Sequence, residues 1–455
     1  MTLSNVKSIT WAYSLTTFGT EMLNSVFRFY YVKLFLHLYK ISQVAFHQAQ
    51  IILLIWNALN DLTGYFHNNP KTDCCGHRHS SVLYSAPFYA LAFLLPWFPW
   101  KSYQAGDWLS GLHLVVSLCA FESALTFIQQ ARCVPLAEIF NQHESRLPFI
   151  KINQVASLVG SSGILFCDLV SDNMENLPRF QASAVVIATL AAASLSMGTC
   201  YLRRLQPPRS PEDSVWPGEQ DLPWTSVLSL MSQILTQRNF RLFLIMNFFQ
   251  VFHLTLVSNF MMIFADHLVP RDVLPSPIRS IMYGAGFLCP QCLVLVHQSW
   301  LKKFGYYKLI LISFYLEGTA SIVMLLLGQQ RYYLLALYLI IIMVTMQASL
   351  CLFHLPLADV VDADLLKFSR QWPLSSMVFG INALFTKPAQ ALAPMVTVSL
   401  LAQYGYGSPN KSSISALHEA MFNLICLVPL GIAAIQILVW SPFSMKSKTE
   451  YPGAF

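Results

Sequence analysis

The sequence predicts an all-α polytopic membrane protein: twelve transmembrane helices in two six-helix bundles. Three observations carry that reading. The 455 residues have a mean hydropathy of +0.50, with 55% hydrophobic and only 11% charged side chains, where a soluble domain carries about 25% charged residues. Apolar runs of the length that crosses a bilayer recur along the chain. A polar, proline-rich stretch near the middle, Arg203-Arg204-Leu-Gln-Pro through Pro223, divides those runs into two sets of six.

In chain order the expected spans are 10–36, 42–66, 81–100, 108–130, 149–170 and 181–202, then 239–264, 279–298, 309–327, 332–354, 374–401 and 416–440. The domains follow as an N-terminal bundle over 1–203, a cytoplasmic linker over 204–237 and a C-terminal bundle over 238–455. The first apolar run continues well past signal-peptide length and reads as a retained span. Most of the 28 Lys and Arg fall in alternate loops, which places both termini in the cytoplasm. The sequon Asn410-Lys-Ser412 then lies outside, as a possible glycosylation site. Two short basic loops with a turn glycine, Lys71 to Arg78 and Lys302-Lys303-Phe-Gly305 to Lys308, hint at related halves.

The polar residues inside the spans are the functional candidates. The first span carries Glu21, Asn24 and Arg28 at i, i+3 and i+7, one stripe on an apolar helix. That stripe is either an internal Glu–Arg pair or a cavity wall for a polar substrate. The second ends in Trp56-Asn57-Ala-Leu-Asn60-Asp61, with Asn57, Asn60 and Asp61 on one face. A carboxylate there costs roughly 2.5–3.5 kcal/mol on insertion scales, so it faces a bundle interior or a water-filled cavity, or it marks the helix end. Glu122, Glu317 and Gln347 are single polar points suited to helix–helix bonding. Asn247, Gln250 and His253 recur every third residue in the seventh span, as one face on a hydrated cavity. Lys387 lies near the middle of the eleventh span, with Asn382 and Gln390 as the nearby amides. It needs a carboxylate or must lose its proton; Asp61 is the first choice of partner and Glu21 the second.

Other chemistries are disfavoured. The cysteines sit mostly inside apolar runs as small hydrophobes. Cys289-Pro-Gln-Cys292 lacks the βαβ context of a redox motif, and Cys74-Cys75 permits lipidation without requiring it. No metal-ligand cluster, phosphate-binding loop or nucleophile–base signature is present, so neither an enzyme nor a cofactor is expected. The net charge of +6 is dispersed among loops and does not imply nucleic acid. The bilayer is the implied partner, with a small solute and H+ or Na+.

Several segments resemble the glycoside–pentoside–hexuronide:cation symporters, the melibiose-carrier branch of the major facilitator superfamily. They are Tyr13 to Glu21 with Phe18-Gly19-Thr, Trp56-Asn57-Ala-Leu-Asn60-Asp61 to Gly64, Gly76-His-Arg78, Glu144-Ser-Arg146, and Asp359-Val-Val-Asp362-Ala-Asp364 through Arg370-Gln-Trp-Pro to Lys387-Pro-Ala-Gln-Ala391. Tyr30-Tyr31-Val and Tyr39-Lys40-Ile41 narrow the likeness within that branch. The resemblance spans nearly the whole chain except the linker and the tail beyond Trp440. It implies a twelve-helix facilitator whose cavity opens alternately to each side. It also implies that Glu21 contacts substrate hydroxyls, that the positions of Asn57, Asp61 and Gln129 form the cation site, and that Lys387 joins it. Gly64, Arg78, Arg146, Asp359, Asp362 and Arg370 fall in the gating loops.

This chain departs from the pattern at the cation site. Asn57 and Gln129 are neutral, and one carboxylate facing Lys387 gives roughly zero net charge, a poor sodium cage. After Asp61 the family proline is missing, the glycine arrives one residue early at Gly64, and the closing acid is replaced near Asn68. The leading expectation is therefore a secondary transporter of a small polar solute, such as a glycoside, proton-coupled or uncoupled. Asp61 would be its protonation site. A lysolipid transporter and a facilitator fold that serves only as a membrane interaction partner are the alternatives, in the plasma membrane or an endomembrane.

Overall fold

A computed structural model describes residues 3–67, 86–140, 143–205, 224–369, 374–406 and 414–443. These residues form helices joined by short turns, with no strand among them. In order they are α1 (Leu3–Lys33, prolonged by a wide π turn over Leu34–Leu38), α2 (Gln43–His67), α3 (Ala86–Trp97), α4 (Trp108–Phe140), α5 (His143–Ser161), α6 (Gly163–Ser171) and α7 (Leu177–Leu205). They continue with α8 (Trp224–Leu235), α9 (Arg238–Leu268), α10 (Ser276–Leu327), α11 (Tyr332–Leu352), α12 (His354–Lys367), α13 (Ser375–Gln403) and α14 (Ile414–Trp440). Within α10 the chain turns at Gly305, whose φ of 73° is open to glycine at little cost. That turn is the basic loop expected between the eighth and ninth spans.

Eight described segments are long and apolar enough to cross a membrane, among them Trp108–Gln129, Arg238–Leu268 and Ile414–Trp440. α3 is apolar but short. The helices α1, α2 and α13 are long, yet among the described residues they fall below the same apolar threshold. The reason is legible: they carry the polar stripes. α1 holds Thr16, Thr17, Thr20, Glu21, Asn24 and Arg28, and α13 holds Asn382, Thr386, Lys387 and Gln390.

The chain divides into two compact units. The first is Met1–Trp216 with Leu274–Gln291; the second is Pro217–Val273 with Cys292–Phe455. In the first, α1 is the central helix, packed on α7, α5 and α6, while α2 lies along α4. Small residues let the helices approach. A Cβ on Gly198 would stand 2.7 Å from Thr16 Cγ2 and 2.8 Å from the Ala12 carbonyl, and one on Gly160 would stand 2.7 Å from the Phe18 carbonyl. Ser194 Oγ seals the α1–α7 contact by donating to the Leu15 carbonyl at 2.7 Å. Such small-residue contacts are how membrane helices associate without a hydrophobic driving force.

The first unit also takes the start of α10, which the sequence assigns to the C-terminal bundle. Asn173 Nδ2 donates to Ser276 Oγ at 2.8 Å, Tyr283 and Phe287 pack on Phe29, and Gln154 bonds to Gln291. Three successive left-handed residues, Asp172, Asn173 and Met174 (φ 55°, 56° and 66°), form the turn after α6. Each such residue is strained by roughly 1–3 kcal/mol. The Lys33 ammonium donates to the Asn173 carbonyl at 3.0 Å and helps hold that turn.

In the second unit α9 is central, packed on α13, α14 and α11. Its core gathers Phe240, Phe243, Phe314, Phe353 and Trp440. Ile234 of α8 is fully buried in the same core. Part of the stretch expected as linker is therefore a helix docked on this unit. Its Val227, Leu228, Met231, Ile234 and Leu235 recur at helical spacing, and Gln237 Nε2 fixes its end by donating to Asp364 Oδ1 at 2.6 Å.

Candidate functional site

The polar stripe of α1 survives folding as a shared face. Residues 21, 24 and 28 differ by small angles around a 3.6-residue helix, and all three side chains are half-buried. The ion pair it makes reaches across helices. Arg28 Nη2 lies 3.7 Å from Glu122 Oε1 of α4, with the two side chains 34% and 11% exposed. Phe27 stacks on Phe121 beside the pair, clamping α1 to α4.

In the first unit several polar atoms on α1 and α2 are buried without a hydrogen-bond partner among the described residues. They are Arg28 Nε, Asn24 Oδ1, Asn57 Oδ1 and both amide atoms of Gln50. Gln50 and Asn57 are 0% and 2% exposed and sit two turns apart on α2. The pairing of α2 with α4 is set by Trp56, whose Nε1 donates to Ser123 Oγ at 2.7 Å, and by Gly111 against Ala45. A buried polar group left unsatisfied costs about 1–3 kcal/mol. A cluster of them marks a place that water or a solute's hydroxyls would occupy. Orphan amide oxygens and an orphan guanidinium N–H suit a group that both donates and accepts, which is the chemistry of a polyol.

The other expected site residues divide by element. Asn60 is half-buried on α2 and Gln129 is exposed on α4. Asp61 and Gly64 lie on α2 and Arg146 on α5, but their side chains and surroundings fall outside the described residues, as do Arg78, Arg370 and Asn410 entirely. Lys387 is half-buried on α13. On α12, Asp359 Oδ2 accepts a hydrogen bond from the Tyr306 hydroxyl at 2.5 Å, while Asp362 is exposed.

The α9 stripe splits. Steps of three residues drift by about 60° each around an α-helix, so Asn247 and His253 point about 120° apart. Asn247 Nδ2 donates to Asn382 Oδ1 of α13 at 2.8 Å. Gln250 is fully enclosed, donating to the Met346 carbonyl and to Ser349 Oγ and accepting from Gln436 Nε2 at 2.6 Å. His253, also fully enclosed, has its Nδ1 3.6 Å from Glu317 Oε2. Sequence reading did not pair Glu122 with Arg28 or Glu317 with His253. Each partner lies on another helix, where periodicity carries no signal. Among the described residues no group of three or more His, Cys, Asp or Glu side chains is placed to hold a metal ion.

Comparison with known proteins gives a consistent picture. A family model described as MFS/sugar transport protein matches residues 12–445. The chain is 29% identical to Transmembrane protein 180 of Gallus gallus, over 96% of this chain and 92% of that one. Among solved structures, a D-xylose-proton symporter is similar with a TM-score of 0.63 at 12% identity, covering 98% of this chain and 99% of that one. A point mutant of the nucleoside transporter NupG is similar at the same TM-score of 0.63 and 12% identity, covering 96% and 99%. At such identities these two likenesses speak for the fold.

Proposed function

Because the chain belongs to the MFS/sugar transport protein family, we propose that it is a secondary transporter of a small polar solute, working by alternating access through twelve membrane-spanning helices. The observation that carries the reading is the set of unsatisfied buried polar atoms on α1 and α2: Arg28 Nε of the Arg28–Glu122 pair, Asn24 one turn away, and Gln50 and Asn57 on the helix that lies along α4. A bundle that keeps one guanidinium nitrogen, two asparagine oxygens and a glutamine amide without hydrogen-bond partners among the described residues is arranged for a guest. The guest is hydroxyl-rich, a carbohydrate or glycoside: the charges of Arg28 and Glu122 offset each other, and Glu21 with the amides offers acceptors for hydroxyl groups. That the solved relatives carry xylose and nucleosides supports the same class.

Glu21, Asn24 and Arg28 contact the solute from α1; within the second unit Asn247 bonds Asn382 of α13. Gln250 and His253 act from behind, through neighbouring helices. Asp61 is the protonation site and Lys387 its counter-charge, with Asn57, Asn60 and Gln129 completing the network. With only Asp61 ionisable among the three family cation positions, proton-coupled or uncoupled movement is favoured over strong sodium coupling. Both termini are cytoplasmic and Asn410 is external, where glycosidase treatment would shift the protein's mobility.

The test is an untargeted uptake screen in proteoliposomes with pH and sodium gradients imposed separately. A polar solute should accumulate, with uptake raised by an inward proton gradient and insensitive to sodium. Asp61→Asn should abolish the response to pH. Uptake driven by sodium alone, or indifferent to Asp61→Asn, would refute the coupling scheme. A second reading, lysolipid transport, is favoured by one observation: an apolar groove of about 450 Å3 between α3 and α4, lined by Phe88, Leu91, Leu95, Ala120, Ala124 and Phe127. Including lysolipids in the screen separates the two cargoes.

A further inference from the structure

The second unit encloses a pair of titratable groups that the transport reading above does not use as such. His253 of α9 and Glu317 of α10 are each 0% exposed, with Nδ1 and Oε2 3.6 Å apart. Both ring nitrogens and both carboxylate oxygens lack a hydrogen-bond partner among the described residues. Each residue lies in an apolar membrane span, Arg238–Leu268 and Lys303–Leu327. A lone carboxylate in such surroundings costs several kcal/mol even after relaxation. A neutral imidazole facing an ionised carboxylate would leave that charge uncompensated. The enclosed pair is therefore neutral overall and holds one proton between its two groups.

The neighbours do not offer a substitute charge. Ser321 Oγ donates to the Glu317 backbone carbonyl and bonds to the Tyr338 hydroxyl of α11, which in turn donates to the Ile425 carbonyl of α14. Cys426 adjoins Tyr338 on α14. On α12, Asp359 and Asp364 are engaged by Tyr306 and Gln237, and α13 contributes the half-buried Lys387. Among the described residues, His253 and Glu317 have only each other as an ion partner. Gln250 and Asn247, three and six residues before His253, turn toward other neighbours (Met346, Ser349 and Gln436, and Asn382) and bring no charge.

We propose that His253 and Glu317 form a proton-binding site within the second unit, loaded while enclosed and discharged when the pair meets water. Its ligand is H+, taken up and released without covalent chemistry. The use of that proton to drive a solute rests on the transport reading; its presence on the pair does not.

The experiment is infrared difference spectroscopy on the full chain in lipid, with pH stepped across the physiological range and beyond. Wild type should show a protonation change in carboxylic-acid or imidazole bands that is absent from Glu317→Gln. In His253→Asn the same change should move its midpoint by on the order of one pH unit, a tenfold change in proton affinity. The second variant keeps the test decisive if the first does not fold. Spectra of wild type and His253→Asn that superimpose at every pH would overturn the proposal. Proton signals as expected with no solute uptake would leave the proton site standing and refute the transport reading alone.

Discussion

Removing one member of the Arg28–Glu122 pair should destabilise the protein more than removing both. At 3.7 Å separation, two unit charges attract by about 4 kcal/mol at an effective dielectric of 20. The 34% exposure of the arginine side chain lets solvent screen part of that, leaving about 2–3 kcal/mol. The two partners are not equivalent. Arg28→Gln strands a carboxylate only 11% exposed, so it should cost about 2–3 kcal/mol. Glu122→Gln strands a cation that still reaches solvent and should cost about 1–2 kcal/mol. The double variant replaces two opposed charges by two amides and should be no worse than the milder single. Unfolding in mixed detergent micelles, followed for all four proteins, closes the cycle. A coupling of at least about 2–3 kcal/mol is expected. Single costs that simply add, or an Arg28→Gln protein more stable than Glu122→Gln, would refute the reasoning.

Two further perturbations probe the scaffold. Gly198→Ala places a methyl 2.7 Å from Thr16 Cγ2 and 2.8 Å from the Ala12 carbonyl, and overpacking of that kind costs about 1–3 kcal/mol. Alanine's better helix propensity returns about 1 kcal/mol, so a net loss of up to about 2 kcal/mol should appear in the same unfolding assay, and a Gly198→Ala protein more stable than wild type would contradict the close α1–α7 contact. At the end of the loop before α4, Lys101 Nζ lies 2.7 Å from Asp107 Oδ2. That hydrogen bond, with a second from the Leu109 amide, lowers the Asp107 pKa below the ordinary carboxylate value. A depressed folded-state pKa stabilises above the unfolded value and loses the effect as pH falls through the folded one. Thermal melts should therefore favour wild type over Asp107→Asn at neutral pH, with the gap closing below about pH 4; a gap independent of pH would contradict the assignment.

The fold was legible because the bilayer imposes a simple rule on sequence. An apolar run must be a closed helix, so the expected spans fall on described helices, eight segments of which are long and apolar enough to cross a membrane, and the expected basic loop falls at the turn of Gly305. The spans hardest to justify by apolarity were α1, α2 and α13, the ones that carry polar stripes. What the sequence could not supply was the partner of each polar group. Periodicity places Glu21, Asn24 and Arg28 on one side of their own helix, but it says nothing about Glu122, nearly a hundred residues away. It grouped Asn247, Gln250 and His253 too generously, since three-residue steps wind around the helix and send each side chain to a different neighbour. The docked helix α8 was hidden by the proline-rich segment before it, although its apolar spacing from Val227 to Leu235 was there to be read.

The account stands most squarely on a solute meeting the unsatisfied polar face beside Arg28. Calorimetric titration of the purified full chain with the solute found by uptake, in wild type and in Arg28→Gln, measures that contact directly. A hydrogen bond to a charged group contributes about 1.5–3 kcal/mol, so the variant should bind about 10- to 100-fold more weakly. Equal affinity in the two proteins would place the solute elsewhere and contradict the account.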